Sequence, residues 1–150
     1  MPAPRAPLKS PSLLAVAIED RVSRLWWLVS RDAPSVVSRS AAATLARLRE
    51  GGPQRICDLA AGESVTQPSM TSLVQRLERD ALVSRESDPD DARAFRISIT
   101  AAGRHALDAR AALRAEVLSQ RFERLDADQR AALAAALPAF DELLAAGEAA

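Results

Sequence analysis

Residues Asp88–Thr100 read DPDDARAFRISIT, and the folding of this stretch decides the fold of the chain. Asp88, Asp90 and Asp91 surround Pro89, Arg93 and Arg96 bracket Ala94 and Phe95, and Phe95–Ile99 alternates apolar with polar. Before the charged turn stands a second short run, Val83–Ser87 (VSRES). Two such runs on either side of a turn rich in Asp and Pro predict a β-hairpin. Nearly everything outside it has helical spacing, so the hairpin is the one interruption in a helical chain.

Upstream of the hairpin, Thr66 is a predicted N-cap with Pro68 in the first turn, opening a helix through Leu73, Val74 and Leu77 to about Asp80. Ile56–Ala61 precedes it as a short helix around Leu59, stopped by Gly62. Ser40 caps a helix with Leu45 and Leu48, which Gly51, Gly52 and Pro53 end. Ser12 caps a long first helix in which Leu14, Ile18, Val22, Leu25 and Val29 keep helical spacing. That helix ends near Asp32, because Pro34 disfavours helical geometry before it. Residues 1–11 are proline-rich and read as a flexible arm.

Downstream, Thr100 caps a long helix bearing Leu107, Ala111, Ala115, Leu118, Phe122 and Leu125. Asp126 with Gln129 resembles a capping box for a last helix carrying Leu133, Leu137, Phe140 and Leu144. Pro138 is expected to kink or break it.

A short helix, a tight turn and a longer helix make a helix-turn-helix unit, and a hairpin directly after it is a wing. The fold class expected is mainly α with a small β-hairpin wing, in one domain over 12–150. Bases are told apart at the major-groove edge by short polar side chains held close to it. Thr66, Gln67, Ser69, Met70, Thr71, Ser72 and Arg76 are the candidate contacts on the longer helix. Met70, Leu73, Val74 and Leu77 share a face that can anchor this helix to a core. The other reading is an ordinary amphipathic helix with its polar side in water; the adjoining wing favours DNA. In the wing, Arg93 can enter a narrow minor groove, and Asp91 can hold it by a charge-assisted bond or hydrogen-bond the turn's own backbone; a solvated charge cluster of Asp88, Asp90 and Asp91 is the other reading. Arg96 and Arg76 are expected to meet phosphates, with an ion pair to Glu78 or Glu86 as the alternative for either.

Four pieces in this order resemble the MarR family of winged helix-turn-helix transcriptional regulators. They are Leu59-Ala60, Thr66-Gln67-Pro68-Ser69-Met70-Thr71, Asp91-x-Arg93-Ala94 and Ile99-Thr100-x-x-Gly103. The resemblance implies a recognition helix opened by Thr66, Arg93 at the wing tip, and a cytoplasmic homodimer built from both chain ends. The winged unit would span about 40–100, and the dimerisation helices about 12–32 and 101–147. It implies a repressor bound to a roughly palindromic double-stranded operator. It also implies a small aromatic or phenolic effector where the first, second and long helices meet; Trp26, Trp27, Arg31 and His105 could line that site, or could serve packing instead. The chain departs from the family at Ser72 and Ala92, where Arg is common, and at Ala81, where Gly is common. Ala81 implies a different helix end or about 1 kcal/mol of strain in left-handed geometry.

The bulk composition is compatible with these expectations. The apolar share is 48% of 150 residues, enough for a core, and charged residues are 27%. Net charge is zero, and Arg supplies 19 of the 20 basic side chains. Between Ser40 and Thr100 eight arginines face nine acids, so DNA attraction has to come from local placement. A winged-helix module that binds a protein or a ligand and has lost DNA binding is the alternative. No window is apolar enough for a membrane span. Cys57 is the single cysteine and is expected to be a buried, inert thiol in a reducing compartment. His105 is the only histidine, so no common metal-ligand set or histidine triad can form, and neither a cofactor nor an enzyme is expected.

Overall fold

The computed structural model describes residues 10–33, 37–89, 91 and 94–148. Their element order is α1 (Pro11–Asp32), α2 (Arg39–Gly51), β1 (Gln54–Arg55), α3 (Ile56–Gly62), α4 (Gln67–Arg79), β2 (Val83–Ser87), β3 (Phe95–Ile99), α5 (Ala101–Phe122) and α6 (Ala127–Glu148). The chain divides into two compact units, Ser30–Arg114 and the paired segments Met1–Val29 and Ala115–Ala150.

In the unit Ser30–Arg114, three antiparallel strands lie in the order β1-β3-β2. Val83 pairs with Ile99 and Ser87 with Phe95, which gives the hairpin the bounds its alternation predicts. The two residues of β1 add a strand too short to show alternation, with Gln54 opposite Ile97 and Arg55 opposite Arg96. Leu45, Leu48, Leu59, Met70, Val74 and Ile97 are fully buried and fill the space between α2, α3, α4 and β3. Each such side chain contributes roughly 1.5–3 kcal/mol by leaving water.

Local sequence sets the ends of these elements. Ser38, two residues before the expected Ser40, caps α2 by accepting from the Ala41 amide at 3.2 Å. Gly52, at φ 71°, ends it. Ala81 follows α4 at φ 56°, so left-handed geometry is kept without the glycine that usually supplies it. Gly103 is required by close approach, since a Cβ there would lie 2.2 Å from the Leu82 carbonyl oxygen.

In the other unit, α1 starts at Pro11, and the Leu14 amide donates to the Ser10 carbonyl at 3.0 Å. Ser10, not Ser12, therefore precedes the helix, with proline at the first helical position where its missing N–H costs nothing. Asp126 and Gln129 form the reciprocal capping box of α6, at 2.7 and 3.1 Å. Pro138 does not break α6, which runs on for ten residues beyond it; neighbouring turns on both sides outweigh one lost backbone bond. No described residue of α6 is buried. Leu133, Leu137, Leu143 and Leu144 on α6, and Leu13, Val16, Trp26 and Trp27 on α1, are exposed.

Among the described residues no helix is long and apolar enough to cross a membrane.

Candidate nucleic-acid interface

The turn between α3 and α4 is built by backbone bonds that bring two helices close. The Glu63 amide donates to the Leu59 carbonyl at 3.1 Å and the Val65 amide to the Ala60 carbonyl at 3.0 Å, with Ser64 at φ 53° between them. Thr44, fully buried in α2, donates its hydroxyl to Glu63 Oε1 at 2.7 Å and fastens this turn to the body. Thr66 then caps α4, accepting from the Ser69 amide at 3.4 Å and sharing a hydrogen bond with the Ser69 hydroxyl at 2.8 Å.

From that cap, α4 separates into two faces. Leu73, Val74 and Leu77 are buried, as the helical spacing predicts. Met70, expected among the DNA contacts, is buried with them at 0% exposure and anchors the helix. Gln67, Ser69, Ser72 and Arg76 are exposed, and Thr71 is half-buried. The Thr71 and Ser72 hydroxyls donate back to the carbonyls of Gln67 and Pro68, at 2.9 and 3.0 Å. Their oxygens keep lone pairs for accepting from a base or for bridging through water. Glu78 is engaged by Arg85 at 2.7 Å, so Arg76 has no acidic partner among the described residues.

Asp91 is exposed and its carbonyl accepts from the Ala94 amide at 2.9 Å, while the Asp88 amide donates to the Ala94 carbonyl at 3.0 Å. These two bonds close the turn. Arg93, the expected wing-tip residue, lies outside the described residues. Arg96 pairs with a third acid, Asp88. Its Nε donates to Asp88 Oδ2 at 3.0 Å, and Nε of Arg55 donates to the same oxygen at 2.6 Å. The Asp88 side chain is wholly buried. The hydrogen bond and charge of Asp88 hold the Arg55 guanidinium above its usual pKa, against slight desolvation, with Asp91 and Asp58 adding to the effect. Asp88, which reads as a solvated acid in the turn, is thus a neutralised acid at the base of the wing. Two ion pairs position the hairpin: Arg85–Glu78 joins β2 to α4, and Arg55–Asp88 joins the turn to the residue before α3.

The residues expected around an effector are distributed between the two units. His105 lines a cavity of about 640 Å³ in the winged unit, together with Leu73, Arg76, Leu77, Arg110 and Leu113. Arg31 donates to Asp32 at 2.7 Å, and that partner raises its pKa by hydrogen bond and charge. Trp26 and Trp27 lie on α1 in the other unit, 47% and 57% exposed. Cys57 is exposed, which corrects the expected buried thiol: α3 turns Leu59 and Ala60 inward and Cys57 outward, beside Asp58 at 3.6 Å. Among the described residues no group of three or more His, Cys, Asp or Glu is placed to hold a metal ion.

The model of the MarR family matches residues 37–95. A protein of Pseudomonas aeruginosa described as a transcriptional regulator is 31% identical; the alignment covers 92% of this chain and 98% of that one, with TM-score 0.72. The chain belongs to the MarR family. MarR proteins are transcriptional regulators with a winged helix-turn-helix. A transcriptional regulator from Thermotoga maritima shares the fold at TM-score 0.76 and 20% identity, covering 89% of this chain and 98% of its own. An S. aureus MepR mutant bound to an oligodeoxyribonucleotide shares it at TM-score 0.65 and 19% identity, covering 87% and 97%. No curated protein matches the sequence.

Proposed function

We propose that this MarR-family chain is a homodimeric, cytoplasmic repressor that reads double-stranded DNA until a small effector binds. The observation that carries this reading is the exposed polar opening of α4 beside a hairpin fastened by ion pairs to both sides of the helix-turn-helix. In this reading Gln67 and Ser69 meet base edges in the major groove, and Thr66, Thr71 and Ser72 support them at its margin. Arg76 meets phosphate, and Arg93 enters the adjoining minor groove with Asp91 close by in the turn. The oligonucleotide bound by the MepR mutant, a protein of the same fold, supports DNA as the ligand.

The apolar side chains exposed on α1 and α6 support a second copy of the chain as the partner for that unit. A two-fold axis would hold two recognition helices about 34 Å apart and select a roughly palindromic operator. The cavity beside His105 supports regulation by a small aromatic or phenolic molecule. It joins apolar walls from Leu73, Leu77 and Leu113 to the cations Arg76 and Arg110. An occupant there would bias the dimer between DNA-competent and incompetent arrangements, because its floor is the inner side of α4.

Fluorescence anisotropy on the chain's own upstream region tests the reading, with wild type, Arg93→Ala and Gln67→Ala compared. Tight wild-type binding weakened in both variants is expected. Equal, weak binding by all three would refute it.

A further inference from the structure

The winged unit keeps its large apolar side chains inside, with three exceptions. Among the described residues of Ser30–Arg114, only Val65, Phe95 and Leu113 are exposed. Leu113 lines the cavity beside His105, and Val65 lies in the turn before α4. Phe95 is the most exposed of the three, at 51%, and it stands in the wing.

Register accounts for that exposure. Successive side chains of a strand point to opposite faces, so Phe95 shares a face with Ile97 and Ile99, which are buried in the core. Across the hairpin the same face continues through Val83, Arg85 and Ser87, the partners of Ile99, Ile97 and Phe95. Val83 is buried, Arg85 donates to Glu78 of α4 at 2.7 Å, and Ser87 is exposed. The face therefore leaves the core step by step toward the turn, and its outermost pair sets an aromatic ring opposite a small hydroxyl.

The backbone beside the ring is held. The Asp88 amide donates to the Ala94 carbonyl at 3.0 Å and the Ala94 amide to the Asp91 carbonyl at 2.9 Å, and Phe95 opens β3 directly after this closure. In the chain it is two residues from Arg93, and its face is the one that Arg85 joins to α4. The walls of a minor groove are C–H faces of deoxyribose, and minor-groove proteins bring Phe, Leu and Ile into that groove as apolar contacts. A ring leaving water there gains without any charge taking part.

Resting on the DNA-binding reading above, we propose that Phe95 is an apolar DNA contact, its ring packing on deoxyribose in the minor groove that the wing enters. Phosphate contacts release counterions and set the slope of affinity against salt, whereas apolar burial leaves that slope unchanged. The sugar is the same at every nucleotide, so the contribution of the ring is the same on any duplex.

The test is a salt-titrated binding curve of the full chain on upstream and unrelated duplexes for wild type and Phe95→Thr, a polar residue that suits a strand. Thermal melting and sedimentation equilibrium of each protein accompany it. Phe95→Thr is expected to weaken both duplexes by the same factor, on the order of threefold to tenfold, at the wild-type salt slope and with unchanged oligomeric state. Unchanged or tighter binding overturns the contact, as does a slope that falls with the affinity. Loss confined to the upstream duplex marks the ring as a reader of base steps and overturns the sugar contact. A changed oligomeric state places the ring between copies of the chain and overturns it too. Should Phe95→Thr be unfolded, Phe95→Val decides by the same readings, its smaller side chain expected to lose part of the affinity at constant slope. Wild type without salt-dependent binding to any duplex overturns the DNA reading itself, and the ring contact with it.

Discussion

The Thr100 hydroxyl donates to the Ala81 carbonyl at 2.7 Å, joining the second residue after α4 to the residue before α5 across the base of the hairpin. The same hydroxyl oxygen accepts from the Gly103 amide at 3.1 Å, so one side chain ends one helix connection and starts the next. Ala81 is held in this arrangement at φ 56°, where its Cβ is crowded. Ala81→Gly is expected to stabilise the protein by about 1 kcal/mol, relief of strain exceeding the entropy added to the unfolded chain. Urea unfolding at fixed protein concentration measures it; an unchanged or lower midpoint would show that Ala81 is not strained.

Met70 separates anchoring from recognition within one helix. Met70→Ala should destabilise the fold by about 2–5 kcal/mol, whereas Met70→Leu, close in volume, should cost less than about 1.5 kcal/mol. DNA affinity in the folded Met70→Leu protein should equal wild type. A selective loss of sequence preference in that variant, with the melting temperature unchanged, would return Met70 to the DNA-contacting set.

Cys57 is exposed on α3 beside Asp58. Native protein should therefore react fully with an aromatic disulfide reagent, at a rate little changed by denaturant. Protection that is lost only on unfolding would contradict the exposed placement.

The apolar side chains of α6 give the proposed dimer its own test. Leu137 is 60% exposed in a helix with no buried described residue. Leu137→Asp should cost the isolated chain little and convert a dimer to monomer in sedimentation equilibrium, weakening operator binding as the second reading head is lost. A monomeric wild type, or a Leu137→Asp dimer of unchanged strength, would argue against α6 as the interface.

Much of this architecture is legible in the sequence because short-range chemistry sets it. Thr66 caps α4, Asp126 and Gln129 box α6, and Val83–Ser87 with Phe95–Ile99 pair as their alternation predicts. What escaped depends on partners distant in the chain or on very short elements. Gln54–Arg55 is too brief to show a period. The burial of Asp88 is invisible without Arg55, 33 residues away. Cys57 belongs to a seven-residue helix, where a one-position error in the inward face exchanges buried for exposed. The serine caps were displaced by two residues because Ser10 and Ser12, like Ser38 and Ser40, offer equivalent hydroxyls, and Pro11 and the Ala41 amide decide between them.

The central claim is that the polar side of α4 reads base sequence while arginines around it hold the backbone. Gln67→Ala and Arg76→Ala distinguish these parts in one measurement: affinity for the upstream and for a scrambled duplex across a salt series. Gln67→Ala should lose about 1–3 kcal/mol on the upstream duplex alone and keep the wild-type salt slope. Arg76→Ala should weaken both duplexes equally and flatten the slope by about one per subunit. A wild type that binds both duplexes alike, with Gln67→Ala indistinguishable from it at every salt concentration, would contradict the account.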